Sequence, residues 1–123
     1  ELPLNPIYWY ALIKYASAYI GNNMHPIVIS LHNAVPCYSI DNWGTTNFWG
    51  KRIDDGSSKV QDILDRYGLP DNRSAITDGR CDVTAEKIFK VLDSYDKAKV
   101  AEVSKNQYES YSKMMEDCLR VLL

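Results

Sequence analysis

Six consecutive residues, Gly21 to Pro26 (GNNMHP), place a glycine, two asparagines, a histidine and a proline between two apolar stretches. The stretch before them, 18–20, predicts a short strand, and the stretch that follows, 26–33, predicts a helix that begins with proline. The first N–H groups of a helix lack intrahelical partners and lie at the positive end of its dipole, so a phosphate or carboxylate can bind there. We therefore predict that this strand-to-helix corner binds an anionic substrate. Its residues are Gly21, Asn22, Asn23, Met24, His25 and Pro26.

His25 is the side chain of this corner that can move a proton near neutral pH. Its protonated ring would add a positive charge beside the helix terminus, and its unperturbed pKa of about 6.5 suits a general acid. The expected catalytic step is the donation of a proton to a leaving oxygen. Alternatively, His25 only caps the helix. His32, near the end of the same helix, is expected to cap its C-terminus or to pack.

The stretch 42–57 (NWGTTNFWGKRIDDGS) is the second candidate, because long loops in small domains are often functional. Its aromatic residues could stack on a sugar ring, and its cations could contact an anion. Alternatively, the aromatic residues pack on the core or on a partner domain. The aromatic residues are Trp43, Phe48 and Trp49, and the cations are Lys51 and Arg52.

Two more residues flank this loop. Asp41 ends the predicted strand 37–40 and either binds a sugar hydroxyl, which we favour, or caps the loop. Lys59 lies in the first turn of a helix with a capping signal and is expected at the surface, unless it has the cleft-facing role that the family resemblance described below implies. Asp54 and Asp55 are expected to be solvated, and no metal site is predicted.

Hydrophobic periodicity and capping signals predict the elements that hold these residues. Helices are predicted over 6–17, 26–33, 58–68 and 97–123, with another from 82 or 84, and strands over 18–20, 37–40 and 73–76. Alternating helices and strands predict a three-layer α/β/α, Rossmann-like domain with a parallel sheet and a long C-terminal helix. One face of that last helix is expected to belong to the core. It carries Tyr108, Tyr111, Met115, Cys118 and Leu122.

Composition narrows the class of protein. The chain has 123 residues, 46% of them hydrophobic, which suits one domain with a core. A formal net charge of −2 gives no electrostatic basis for binding nucleic acid or an anionic membrane. Three widely spaced cysteines predict neither a disulfide framework nor a zinc site and favour the cytoplasm. No transmembrane segment, signal peptide or cofactor is predicted. The start at Glu1, almost directly before a helix, leads us to expect a fragment of a longer protein.

The stretch 21–41 (GNNMHPIVISLHNAVPCYSID) resembles the signature region of the polysaccharide pyruvyl transferase family. That region typically contains a strand, a Gly-x-Arg-x-His turn, a helix, a Val-Pro pair and a second strand. The matching residues are Gly21, His25, Pro26, Val35 and Pro36. Downstream, 57–69 is similar to a lysine-containing segment of the family, with Lys59 in the place of its lysine. The resemblance covers roughly residues 5–70, and the C-terminal third has no specific motif.

This resemblance implies a transferase that moves the enolpyruvyl part of phosphoenolpyruvate to a sugar and leaves a pyruvate ketal, in the synthesis of bacterial exopolysaccharides. It also implies an architecture similar to GT-B glycosyltransferases, with two Rossmann-like halves and the site in the cleft. This chain, 1–123, would be most of the C-terminal half. The implied partners are phosphoenolpyruvate, a saccharide acceptor and the missing N-terminal half. His25 takes the place of the family's histidine, which implies an acid–base or donor-binding role.

Asn23 departs from the family, which has an arginine at this position. An asparagine offers only neutral donors where a guanidinium would pair with a carboxylate or phosphate. Either Lys51 or Arg52 supplies the charge, or the donor differs, or the activity is lost. Two alternatives therefore stay open. One is a nucleotide-sugar-dependent glycosyltransferase of the same architecture, and the other is a non-catalytic interaction domain that retains the fold.

Overall fold

A computed structural model of the chain describes residues 5–42, 45–46, 48–50, 52–53, 58–77 and 79–122. The elements follow the order helix, strand, helix, strand that the sequence predicts. The helices are α1 (Pro6–Lys14), α2 (Met24–His32), α3 (Lys59–Arg66), α4 (Ala85–Asp93) and α5 (Lys97–Leu122). The strands are β1 (Tyr19–Gly21), β2 (Cys37–Asp41), β3 (Thr45–Thr46), β4 (Arg52–Ile53) and β5 (Arg73–Ala75).

Three strands form a parallel sheet in the order β1-β2-β5. Tyr19 pairs with Cys37, and Ser39 pairs with Arg73, so all three strands end at the same edge of the sheet. The crossovers α2 and α3 each begin near that edge, because each connects the end of one strand to the start of the next. We call this edge the carboxyl rim. The prediction of a mixed α/β fold with a parallel sheet and a long C-terminal helix is confirmed.

Two differences from the prediction bear on the candidate site, while other elements differ by a few residues at their ends, as α1 does by ending at Lys14. Helix α2 begins at Met24 with Asn23 as its N-cap, rather than at Pro26. Proline is tolerated at any position of the first turn, because those N–H groups have no intrahelical partner, so its position alone does not define the helix start. The stretch 42–57, predicted as a loop, contains the short antiparallel strands β3 and β4. Thr45 pairs with Ile53 in that ladder.

The core lies between the sheet and helices α2, α3 and α5. Its buried residues come from all of these elements: Ile27, Leu31, Cys37, Val60, Leu64, Tyr67, Tyr95 and Val100. Cys37 carries a free thiol, and burial raises its pKa from 9.0 to about 12, so it stays protonated and unreactive near neutral pH. The core thus holds the strands at fixed register beneath the carboxyl rim.

Only the start of α5 belongs to this core. Val100 is fully buried, and the Ser104 hydroxyl lies 3.1 Å from that of Tyr67. Further along, Tyr108 and Tyr111 are exposed, as are Met115 and Cys118. The prediction that this face belongs to the core is therefore wrong for these four residues. Periodicity identifies an apolar face of a helix but does not identify what covers it.

Candidate functional site

The corner between β1 and α2 is built around a close contact. The ring of Tyr19 lies over the α-carbon of Gly21, two residues further along the same face of the strand. A Cβ atom on Gly21 would lie 2.2 Å from the Tyr19 hydroxyl oxygen and 2.6 Å from ring atom Cζ. A side chain at position 21 would therefore require the outer end of the Tyr19 ring to move, whereas the backbone angle of Gly21 places no such demand.

The same tyrosine reaches the start of α2. Burial raises the pKa of the Tyr19 hydroxyl above its ordinary value of 10.0, while a hydrogen bond from the main chain of Asn23 acts in the opposite direction. The phenol therefore remains a neutral hydroxyl at physiological pH. This contact joins the side chain of the first residue of β1 to the main chain of the N-cap residue of α2.

Helix α2 presents fewer anion-binding groups than the sequence predicts. Asn23 makes no side-chain capping hydrogen bond, and Pro26, the third residue of the helix, is buried and has no N–H. The first turn therefore offers the N–H groups of Met24 and His25. His25 is the second helical residue rather than a residue beside the N-cap, and its side chain is exposed at the carboxyl rim.

Asp41 does not face the solvent. Its carboxylate is fully buried, and the guanidinium of Arg73 contacts it through Nη2 at 2.8 Å and through Nε at 3.1 Å from both oxygens. The Ser39 hydroxyl donates to Oδ2 at 2.5 Å. This internal ion pair gives no support to the expectation that Asp41 binds a sugar hydroxyl, which stays a prediction.

Sequence reasoning did not single out Arg73. One signal was present, since an arginine at the start of a predicted strand needs a carboxylate partner when it is buried. Asp41 at the end of the neighbouring predicted strand was a candidate for that partner. Their contact depends on the pairing of β2 with β5, where Ser39 lies opposite Arg73, and this register cannot be read from either segment alone.

The second candidate, the loop after β2, is described in part. Trp43 and Lys51 lie outside the described residues, and Arg52 is placed only as the first residue of β4. Phe48 and Trp49 lie in the turn between β3 and β4, with rings edge to face at 5.6 Å. They are 95% and 85% exposed, so these two residues do not pack on the core of this chain.

Lys59 begins helix α3, whereas His32 ends helix α2. Lys59 is the first residue of α3, exposed, at the end of the helix that begins near the carboxyl rim. Ser58 caps that helix by accepting a hydrogen bond from the N–H of Gln61 at 3.4 Å, as the capping signal predicts.

His32 is the last residue of α2, as predicted, and lines an open groove of about 1210 Å³ beside α5.

A pocket that sequence reasoning missed lies at the end of β5. It is open, has a volume of about 810 Å³ and is lined mainly by polar side chains. Among the residues that the structure describes, its lining includes Arg73, Ser74, Ala75, Thr77, Arg80, Asp82 and Lys87. Within the described part of the chain, no three His, Cys, Asp or Glu residues are grouped as metal ligands. None of the described helices has the length and apolar character needed to cross a membrane.

The fold and the rim define a class: α/β proteins in which the ends of parallel strands carry the candidate ligand site. A family model described as polysaccharide pyruvyl transferase matches residues 1–44, about a third of the chain. The match contains the corner and all of β2 and stops before Lys59 and β5. It supports the resemblance seen in the sequence. No curated protein and no solved structure matches the chain.

Proposed function

We propose that this chain, as a single α/β domain spanning 1–123, is the C-terminal half of a pyruvyl transferase that modifies a polysaccharide. The observation that carries the proposal is the position of His25. It is exposed at the carboxyl rim, at the positive end of α2, inside the segment that the family model matches. The proposed substrates are phosphoenolpyruvate and a sugar with two neighbouring hydroxyl groups, and the proposed compartment is the cytoplasm.

The chemistry of such a transfer needs an anion site and a proton donor in one place. The methylene carbon of phosphoenolpyruvate gains a proton, two sugar hydroxyls form C–O bonds to its C2 atom, and the C2–O bond to phosphate breaks. The two sugar hydroxyls release two protons. One equals the proton gained by the methylene carbon, and the other leaves on the phosphate. His25 donates to the departing phosphate oxygen, and the N–H groups of Met24 and His25 hold the negative charge.

The corner lacks a cation of its own, since Asn23 is neutral. We propose that Lys51 or Arg52 supplies the charge, and that Lys59 lies near the same ligand from the start of α3. The sugar-binding role belongs to Trp43, together with the exposed pair Phe48 and Trp49, because flat aromatic faces stack on sugar rings. The other half of the cleft comes from a second Rossmann-like domain, as in GT-B proteins.

The test measures phosphate release by the full-length protein from phosphoenolpyruvate with candidate glycans. His25→Ala should lower the rate by about 10² to 10⁴-fold, the usual contribution of a general acid. His32→Ala is the matched control, because His32 lies at the other end of α2 and should leave the rate unchanged. If His25→Ala retains the wild-type rate, the catalytic assignment is wrong.

A non-catalytic interaction domain is the second candidate, favoured by the neutral Asn23 and by the absence of an N–H on Pro26. It predicts no release of phosphate with any glycan. A nucleotide-sugar glycosyltransferase predicts saturable binding of a nucleotide diphosphate sugar instead, because the corner would also fit a diphosphate. Titrating phosphoenolpyruvate and a nucleotide sugar against the full-length protein separates the three functions.

A further inference from the structure

The pocket at the end of β5 is shaped by a tight turn. Thr77 and Arg80 exchange two main-chain hydrogen bonds, each 2.9 Å long. Gly79 has φ +74°, a left-handed conformation that glycine adopts at little cost. The turn brings Arg80 back beside the end of the strand, so its position is set by backbone hydrogen bonds rather than by a long loose loop.

Helix α4 forms another side of the pocket. Thr84 is its N-cap, and the Thr84 hydroxyl accepts the N–H of Lys87 at 3.2 Å. This cap fixes the first turn of α4, from which Lys87 contributes to the lining. The positive end of the α4 dipole lies beside the pocket as well, which favours a negative group there.

The described residues that line the pocket include more cations than carboxylates. Arg73 is neutralised by Asp41 in the buried pair. Arg80, Lys87 and Asp82 are exposed, and none of the three has a salt bridge or side-chain hydrogen bond within the described residues. Among the described lining residues, Arg80 and Lys87 are therefore two cations without ion-pair partners beside the single carboxylate of Asp82. The remaining polar groups are hydroxyls, those of Ser74 and Thr77.

We propose that this pocket binds an anionic sugar unit of the saccharide acceptor, one that carries a carboxylate or a phosphate. Arg80 and Lys87 bind the anionic group, and Asp82 and Thr77 accept hydrogen bonds from ring hydroxyls. A volume of about 810 Å³ suits a small ligand of one or two rings. This inference rests on the proposed transferase function, because it assigns the acceptor side of that site.

The position of the pocket agrees with this role. The pocket is lined by all three residues of β5, the strand at one edge of the sheet, and β2 separates β5 from β1, at whose end the corner with His25 begins. Neighbouring strands are about 4.8 Å apart, so the two strand ends are separated by roughly 10 Å. An acceptor of several sugar rings that is held at the pocket would therefore extend across the strand ends toward His25.

The experiment is a ligand-observed saturation-transfer NMR titration of the full-length protein. The probes are glucuronate, glucose 6-phosphate, glucose and inorganic phosphate. We expect one or both anionic sugars to bind at least tenfold more tightly than glucose and than inorganic phosphate. Comparison of glucuronate with glucose 6-phosphate tells which anionic group is preferred. Equal binding of inorganic phosphate and the anionic sugars, or no saturation transfer to either sugar, would overturn the proposal.

Variants locate the binding site. Arg80→Gln and Lys87→Gln should each weaken binding of the preferred sugar about tenfold, the usual effect of losing one hydrogen bond to a charged group. Lys90→Gln is the matched control, because Lys90 is an exposed lysine of α4 outside the pocket. Undiminished binding by both pocket variants would refute the assignment.

His25→Ala separates this inference from the proposed function. It should leave binding of the anionic sugar unchanged and weaken binding of phosphoenolpyruvate. If phosphoenolpyruvate does not bind the wild-type protein while the sugar binds at the pocket, the transferase function fails and the sugar site stands. If phosphoenolpyruvate binds and the sugar does not, only the acceptor assignment fails.

Discussion

Arg73 on β5 and Asp41 on β2 form a buried ion pair across neighbouring parallel strands. The guanidinium Nη2 lies 2.8 Å from Oδ1, and the side chains are 3% and 0% exposed. Asp41 ends its strand, so the pair lies directly beneath the carboxyl rim. It fixes β5, which lines the pocket, against β2.

Removal of Arg73 should destabilise the fold strongly, because it leaves a buried carboxylate without its partner. Arg73→Met is expected to lower the free energy of unfolding by about 3–5 kcal/mol in urea titrations. The double variant Arg73→Met with Asp41→Leu should lose less than Arg73→Met alone, because neither charge is then left unpaired. A double variant less stable than both single variants would show that the ion pair is not the main contribution.

Addition of a methyl group at Gly21 should displace the ring of Tyr19. Gly21→Ala is expected to lower the free energy of unfolding by about 1–3 kcal/mol, because the new Cβ overlaps the ring. In a Tyr19→Leu background the same substitution should cost much less, since the hydroxyl and the outer ring atoms are gone. Thermal unfolding of the four proteins measures this coupling. Additive effects would contradict a direct contact.

The stability of the fold should fall at alkaline pH partly through Cys37. Its pKa is about 12 in the folded protein and near 9.0 when the thiol is exposed, so above pH 9 the unfolded state loses the proton first. The contribution of this thiol to stability is complete below pH 9 and is lost as the pH rises toward 12. Each pH unit between these limits should remove up to about 1.4 kcal/mol.

Denaturant titrations of the wild-type protein and Cys37→Ala between pH 8 and pH 10.5 provide the measurement. The variant is less stable at pH 8, because it loses a buried side chain, but its decline with pH should be shallower. Burial raises the pKa values of Tyr95 and Tyr19 too, so part of the decline remains in the variant. Parallel declines in the two proteins would mean that Cys37 does not contribute.

A positive charge at position 23 should strengthen binding of phosphoenolpyruvate at the corner, where Asn23 is neutral. Asn23→Arg is expected to lower the KM for phosphoenolpyruvate about tenfold, because a guanidinium pairs with a carboxylate or phosphate in a bidentate manner. The cost to the fold should be small, since the Asn23 side chain makes no capping hydrogen bond. Asn23→Gln is the control and should leave KM unchanged. An unchanged KM in both variants would mean that phosphoenolpyruvate does not bind at this corner.

Local signals predicted most of the elements. Asn5 caps α1 and Ser58 caps α3, as their sequences indicate, because a cap needs only a side chain and an N–H group two or three residues away. The start of α2 was predicted two residues late, since proline fits several positions of a first turn. The strands β3 and β4 were missed because two-residue ladders leave almost no alternation to detect.

Contacts between residues far apart in the chain could not be predicted from the sequence. The role of Asp41 depends on Arg73, a residue 32 positions away that only the sheet register brings near. The turn at Gly79 and the cap at Thr84 each have a signal in the neighbouring sequence. That both contribute to one pocket depends on how α4 packs, which the sequence does not show. Whether Tyr108 and Tyr111 on α5 are exposed likewise depends on which other elements pack against that face of the helix, and periodicity does not reveal this.

The contact between Tyr19 and Gly21 also has an evolutionary consequence. A side chain at position 21 should be tolerated better once position 19 has become smaller, because the overlap is with the outer end of the Tyr19 side chain. Among descendants of this chain, the two positions should therefore tend to change together. A deep mutational library that varies both codons and selects for folded protein would recover the combination of a side chain at position 21 with a small residue at position 19.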